Sequence, residues 1–250
     1  MSGLRAIWRL GWGVLHALHG ALICAVVFPF ISPAQRMQRV GWWSRRMLKV
    51  LGVSLRCNGV AHPGPVLFVA NHISWLDILA INAVHPARFV SKADVRHWPF
   101  LGYLVASGGT LFIERERKRD ALRVVHQVAD ALKAGETVAV FPEGTTSDGH
   151  ALLPFHANLL QAAIATESPV QPIALRFSEP AHPVSLAVTF VGETTLVESL
   201  WLVLRADGLQ ASVQMLPPQA TRHLERRALA ALVQAQIADA LGLPIGEAAA

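Results

Sequence analysis

The feature that most constrains the fold is a regular alternation of short apolar runs and helical stretches from residue 57 onward. The strand-like runs span residues 66–70, 87–91, 110–113, 137–141, 170–177 and 186–191. Helical periodicity occupies residues 77–84, 118–134, 159–166 and 221–241. Such alternation predicts an α/β fold with a mostly parallel central sheet flanked by helices. In sheets of this kind, ligands bind beyond the carboxyl ends of the strands.

The first 52 residues differ from the rest, and they predict a membrane-anchoring helical segment. Residues 13–31 carry no charge and would extend about 28 Å as a helix, which is just enough for a hydrocarbon layer. Two histidines and a proline weaken this run, so it either spans the membrane or only embeds in it. Residues 34–51 have the pattern of a basic amphipathic helix. The chain is therefore predicted to divide into a membrane-associated segment (1–52) and a globular domain (53–250).

Charge and aromatic residues indicate which surface the first segment meets. No Asp or Glu precedes residue 77, whereas eight Lys or Arg residues do, and tryptophans accompany the apolar runs. This combination favours anionic lipid over nucleic acid, for which the chain has neither zinc-finger spacing nor an RNA-binding aromatic signature. Six basic residues between positions 36 and 56 predict a body on the cytoplasmic face of the inner or plasma membrane. The two cysteines and eleven histidines show no metal-ligand spacing, so no metal site is expected.

A histidine and an aspartate occupy a strand end early in the predicted domain. The apolar run 66–70 stops at Asn71, His72 follows at once, and Asp77 opens the next helical stretch. A loop histidine with a carboxylate at short spacing suits general acid–base chemistry. Taken alone, the same spacing also suits residues that merely cap and turn the chain.

Three further polar clusters adjoin predicted strands. Their principal residues are Gly109, Arg115, Pro142, Glu143, Gly144, Thr145 and Pro172. Glu143 lies between a proline and a glycine at a strand end, where it is poorly placed for a core and where the backbone can approach a ligand closely. The ends of parallel strands share one edge of a sheet, so a common site is expected there.

These clusters resemble the four ordered blocks of the glycerolipid acyltransferase family. The blocks read Asn-His-x4-Asp, Gly-x-x-Phe-Ile-x-Arg, Phe-Pro-Glu-Gly-Thr and Val-x-Pro with an apolar residue after it. The resemblance implies a glycerol-3-phosphate acyltransferase-like fold, with residues 53–250 as the catalytic domain. It also implies a membrane-associated enzyme that moves a fatty acyl group from acyl-CoA or acyl carrier protein to the hydroxyl of a lysophospholipid. The acceptor expected from the blocks is 1-acyl-sn-glycerol-3-phosphate.

Residue roles follow from the same resemblance and from the chemistry of acyl transfer. We expect His72 to be the general base and Asp77 to orient its ring and stabilise the imidazolium, with no covalent acyl-enzyme. Arg115 is expected to bind a phosphate, and the resemblance assigns acceptor binding to Glu143 and Gly144. We also expect the backbone amides of Gly144 and Thr145 to donate to the developing oxyanion. The residues expected to shape the pocket are Asn71, Gly109, Pro142 and Pro172. The thioester is a co-substrate, and no further cofactor is expected.

One departure from the family pattern leaves the acceptor open. Members that use phosphate-bearing acceptors usually continue with Phe-Lys-x-Gly after the third block, whereas this chain has Phe155-His156-Ala157-Asn158. A permanent positive charge is therefore replaced by an imidazole. The sequence of the third block also resembles that of the family branch that acylates lyso-ornithine lipid. This acceptor is zwitterionic and has no phosphate. A lipid-binding protein without catalysis and a thioester hydrolase are lesser alternatives.

Overall fold

The computed structural model describes residues 2–113 and 118–246, so Arg115 lies outside the described residues. Seven strands among them form one sheet. They are β1 (Ser54–Asn58), β2 (Val66–Ala70), β3 (Arg88–Lys92), β4 (Leu111–Ile113), β5 (Thr137–Val140), β6 (Val170–Ser178) and β7 (Gln210–Met215). The spatial order is β1-β7-β6-β2-β5-β3-β4, and only the β6–β7 pair is antiparallel. The expected mostly parallel α/β sheet is confirmed.

Eight α-helices surround this sheet in the part of the chain that the structure describes. They are α1 (Ser2–Leu22), α2 (Pro33–Leu51), α3 (Leu76–Val84), α4 (Leu101–Ser107), α5 (Lys118–Lys133), α6 (Leu160–Ala165), α7 (Leu196–Arg205) and α8 (Arg226–Leu241). Helix α1 continues through a π-helical turn (Ile23–Val27) and a 3₁₀ turn (Phe28–Phe30). A further 3₁₀ turn, Ala93–His97, follows β3.

Strand β2 lies at the centre of the molecule, and all five of its residues are buried. Because successive side chains of a strand point to opposite faces, β2 contributes to two cores. Phe68 packs in a cluster that also contains residues of α2, α3 and α7. Leu67 and Val69 pack in a second cluster with residues of α5, α6 and α8. The sheet therefore separates two helical layers, which explains why its central strands read as continuous apolar runs.

The first two helices pack against the domain instead of standing apart from it. Leu48 and Leu51 of α2 and Ala6 of α1 belong to the first core cluster. Arg9 donates hydrogen bonds to the carbonyl oxygens of Leu204 and Ala206 at the end of α7, both at 3.0 Å. The apolar helix begins at Ser2 and not at residue 13, and Arg5 and Arg9 of its first turns bond to the protein. The division of the chain at residue 52 stays a prediction.

One face of α1 remains exposed although it is strongly apolar. Leu4, Trp8 and Leu15 expose 80%, 67% and 57% of their surface. Residues 3–30 form a helix that is long and apolar enough to cross a membrane by length and composition. The exposed apolar face would also suit a helix that lies in the lipid interface.

The structure corrects one predicted strand and adds two strands and two helices that the sequence did not predict. Residues 186–191 form no strand, and their apolar pattern arises from a loop whose Val188 is fully buried against the first core cluster. The additional elements are β1, β7, α4 and α7. Strand β1 is an edge strand and is mostly exposed, so its residues carry a weak alternating pattern.

Candidate active site

The site begins where β2 ends, and Asn71 fixes the geometry of that strand end. Its side-chain amide donates to the carbonyl oxygen of Leu175 at 3.0 Å, and its Oδ1 accepts from the Leu175 N–H at 2.8 Å. Asn71 is 1% exposed, so these two bonds satisfy a polar group that would otherwise be costly to bury. The side chain thus links the end of β2 to neighbouring β6, which orients the residue that follows.

His72 and Asp77 form a hydrogen-bonded pair. The distance from His72 Nδ1 to Asp77 Oδ2 is 2.7 Å. The same Oδ2 accepts the backbone N–H groups of Ile73 and Ser74 at 2.7 and 2.9 Å. Asp77 is fully buried in the first turn of α3, where the positive end of the helix dipole favours a carboxylate. Three donors and the helix terminus therefore hold this carboxylate in one orientation.

This pairing determines which nitrogen of His72 is available for chemistry. Because Nδ1 faces a carboxylate, it carries the proton and donates, and Nε2 of the neutral ring keeps its lone pair. The ring stacks on Phe141 with centroids 4.0 Å apart and planes 10° from parallel. The side chain is 20% exposed. Nε2 can therefore accept a proton from a substrate that reaches the ring from solvent or lipid.

A tight turn after β5 carries the third block. The Gly144 N–H donates to the carbonyl oxygen of Phe141 at 3.1 Å, and Gly144 has a φ of +72°. Pro142 and Glu143 thus occupy the central positions of a four-residue turn, and glycine suits the conformation that follows it. The Gly144 amide, one of the two expected to serve the oxyanion, is therefore bonded within the turn. Thr145 is exposed beside it.

The side chain of Glu143 points back to the main chain of the site. Its Oε1 accepts the N–H of His72 at 2.8 Å, and its Oε2 accepts the N–H of Leu153 at 3.1 Å. Glu143 is only 4% exposed. Burial raises the pKa of its carboxyl from 4.5 to about 7, the two N–H donors oppose the rise, and the nearby charge of Asp77 adds to it. The sequence predicted this residue but not these contacts.

Ser147, which the sequence reading did not single out, completes the support of His72. Its N–H and its hydroxyl both donate to the carbonyl oxygen of His72, at 2.8 and 3.2 Å. Glu143 accepts the N–H of the same residue, so both main-chain groups of His72 are bonded to the loop after β5. No role was predicted for Phe141 either. Phe141 opens the third block and Ser147 lies two residues beyond its end, and this position is the signal that could have found both residues.

The remaining predicted residues lie at different distances from this pair. Pro172 is buried in β6 opposite Val69 of β2, close to the same sheet edge. Gly109 precedes β4, and its carbonyl oxygen accepts from Nε of Arg88 at the start of β3 at 2.8 Å. Gly109 therefore lies at the amino ends of the strands, whereas His72 lies at their carboxyl ends, so the structure does not bring the two residues together. No group of three metal-ligating side chains occurs within the described ranges.

Comparison with known proteins identifies the family. The model of a family described as acyltransferase matches residues 55–176. A lyso-ornithine lipid O-acyltransferase of Pseudomonas aeruginosa is 37% identical over 207 residues, which cover 83% of this chain and 79% of that protein. The chain belongs to the acyltransferase family. A 1-acyl-sn-glycerol-3-phosphate acyltransferase of Neisseria meningitidis is 41% identical over 147 residues, or 58% of each chain.

The fold of this acyltransferase also matches a solved structure. The crystal structure of a 1-acyl-sn-glycerophosphate acyltransferase from Thermotoga maritima superposes with a TM-score of 0.72 and covers 96% of each chain at 16% identity. At that identity the similarity concerns the fold. The family-model match contains His72, Asp77 and Glu143, so the residues that form the observed hydrogen-bonded site lie inside the region that defines the acyltransferase family.

Proposed function

We propose that this acyltransferase moves a fatty acyl group from acyl-CoA or acyl carrier protein to the free hydroxyl of a lysolipid. The proposed acceptor is 1-acyl-sn-glycerol-3-phosphate, and the product is then phosphatidic acid. The observation that carries the proposal is the 2.7 Å hydrogen bond between His72 Nδ1 and buried Asp77. This bond leaves Nε2 as a base of fixed orientation, because the imidazole is also stacked on the apolar ring of Phe141.

The reaction follows from this geometry. Nε2 of His72 takes the proton of the lipid hydroxyl while the oxygen attacks the thioester carbonyl carbon. The imidazolium that forms is stabilised by the Asp77 carboxylate. The tetrahedral intermediate then collapses, the carbon–sulfur bond breaks, and the imidazolium returns its proton to the leaving thiolate. The products are an ester and a free thiol, and no acyl group is transferred to the protein.

We assign acceptor binding and oxyanion stabilisation to residues of the second and third blocks. Arg115, which lies outside the described residues, offers a forked and permanently charged group for the phosphate. Thr145 is exposed on the turn after β5, and its amide is the proposed donor to the oxyanion. Pro142 holds the shape of that turn. The thioester supplies all the activation that the reaction requires, so we propose no further cofactor.

A second acceptor, lyso-ornithine lipid, is favoured by two observations. Relatives of that name from Pseudomonas aeruginosa and Brucella abortus match 83% and 78% of this chain, at 37% and 32% identity. His156 replaces the usual lysine, and its N–H donates to the carbonyl oxygen of Pro142 at 2.9 Å, which ties it to the turn of the site. A weaker positive charge at this point suits a head group without phosphate.

The membrane supplies the acceptor and the surface on which the enzyme works. The exposed apolar face of α1, with Trp8 and Trp12, supports insertion into lipid. Basic residues of α2 follow the apolar helix closely, and such residues favour the cytoplasmic side of the inner or plasma membrane. We therefore propose that the enzyme acts on this face, where acyl-CoA and acyl carrier protein are available.

The decisive experiment offers the purified protein one acyl thioester together with equal amounts of lysophosphatidic acid and lyso-ornithine lipid. We expect phosphatidic acid as the main product. Predominant acylation of lyso-ornithine lipid would instead identify that lipid as the acceptor. His72→Ala should lose about two to four orders of magnitude in turnover. Free fatty acid as the main product would instead identify a hydrolase, and near-normal turnover of the variant would refute base catalysis.

A further inference from the structure

Both oxygens of the Glu143 carboxylate are hydrogen-bonded to the protein's own main chain. One oxygen accepts the His72 N–H and the other accepts the Leu153 N–H, at 2.8 and 3.1 Å. With 4% of its surface exposed, the side chain has little contact with the space in which an acceptor would bind. A residue that grips a substrate needs an accessible oxygen, and this one directs both oxygens at the protein's own main chain.

We propose that Glu143 is a positioning residue that fixes the main chain of the base, His72, rather than a ligand of the lipid acceptor. The proposal rests on the function proposed above for His72. Glu143 then affects turnover through the position of His72 and not by contact with the substrate. It also leaves acceptor recognition to other groups.

The geometry of the loop after β5 supports this role. Glu143 accepts the N–H of His72, and Ser147 of the same loop donates to its carbonyl oxygen. Phe141 supplies the surface on which the imidazole stacks. One short segment therefore contacts the N–H, the carbonyl and the ring of His72, while Asp77 holds Nδ1 from the other side. Loss of one bond by Glu143 would let the base move relative to the substrate.

Protonation gives the positioning role a dependence on pH. Burial raises the pKa of Glu143 to about 7, so the carboxyl takes up a proton near neutrality. A protonated carboxyl has one hydroxyl oxygen, which is a poorer acceptor for a backbone N–H. Among the described residues, the charge that acts on Glu143 is that of Asp77 in α3. His72 bonds to Glu143 through its main chain, and exposed His156 lies on the segment that supplies the Leu153 amide.

The first test separates positioning from acceptor binding by steady-state kinetics. Glu143→Gln keeps one oxygen acceptor but turns an NH₂ group toward the second backbone N–H, so one donor loses its partner. We expect kcat to fall about 10- to 100-fold with the acceptor KM within about twofold of the wild-type value. Glu193→Gln, an exposed glutamate far along the chain, is the matched control and should leave both constants unchanged. An acceptor KM that rises tenfold or more at unchanged kcat would overturn the proposal.

The second test does not require activity, so it remains decisive if the acyl-transfer assay fails. In ¹⁵N-labelled protein in micelles, the amide proton of Leu153 should shift with a midpoint near pH 7, because its acceptor is Glu143. An imidazole lies beside the His72 amide, so Leu153 is the cleaner reporter. The shift should be absent in Glu143→Gln. A Leu153 amide that does not titrate, or that titrates unchanged in the variant, would overturn the proposal.

Discussion

Replacement of Asp77 by asparagine separates the charge of this residue from its hydrogen bonds. Oδ2 accepts three hydrogen bonds, from His72, Ile73 and Ser74, whereas Oδ1 is buried without a partner in the described part of the chain. An asparagine can place its oxygen at the Oδ2 position and its NH₂ group at the Oδ1 position. All three donors then keep their acceptor, the negative charge is lost, and an NH₂ group occupies the buried site of Oδ1.

The magnitudes follow from this geometry. Asp77→Asn should lower the free energy of unfolding by about 1–3 kcal/mol, because the NH₂ group that replaces Oδ1 is buried without an acceptor. Asp77→Ala leaves the N–H groups of buried Ile73 and Ser74 without an acceptor, at a cost of about 1–3 kcal/mol each. Turnover of Asp77→Asn should nevertheless fall by about two to four orders of magnitude, because nothing then stabilises the imidazolium.

Two measurements on the same preparations check this prediction. Denaturant unfolding gives the stability of both variants, and steady-state acyl transfer gives their turnover, with exposed Asp239→Asn as the control that should change neither. The reasoning is refuted if Asp77→Asn retains near-normal turnover, because the charge is then dispensable. It is equally refuted if the asparagine variant is as unstable as the alanine variant, because the three hydrogen bonds would then not have survived.

Two further predictions concern lipid binding and pH. Trp8→Ser combined with Trp12→Ser should weaken binding to anionic vesicles at least about tenfold. The melting temperature should stay unchanged, because about half or more of each side chain is exposed. Unchanged vesicle binding would exclude this face of α1 as the lipid-binding surface. The raised pKa of Glu143 means that the folded state holds more protons than the unfolded state between pH 4.5 and about 7. The free energy of unfolding should therefore fall by about 3 kcal/mol as pH rises through this range, and Glu143→Gln should lack that component in denaturant unfolding.

The fold was largely predictable because the central strands are buried on both faces. Strand β2 reads as an uninterrupted apolar run, and its bounds were predicted correctly. The loop at 186–191 shows the limit of the same reasoning, since Val188 is buried without being in a strand. Strand β7 alternates buried and half-buried residues, but its sequence is rich in polar side chains. Its assignment depends on pairing with β1 and β6, which a local pattern does not reveal.

The residue types of the site were predictable, whereas their partners were not. His72 and Asp77 are five residues apart, so a short loop and one helical turn suffice to bring them together. Glu143 contacts the His72 amide across 71 positions, and Ser147 contacts its carbonyl across 75. Such contacts are set by which strands are neighbours and by how they are aligned. A glutamate in a proline–glycine turn therefore looked like a ligand of the substrate, although it faces the main chain.

The alignment of β2 with β5 is the physical basis of the site. Val69 is opposite Val140 in this parallel pair, so the two strands end within one residue of each other and their loops begin side by side. Phe141 then lies against the ring of His72, and Glu143 reaches its N–H. A shift of one residue between the strands would move these groups by about 3.3 Å and turn alternate side chains to the other face. A base that must meet a lipid hydroxyl at a fixed angle thus depends on the register of two buried strands, because that register brings the loop after β5 to the main chain of His72.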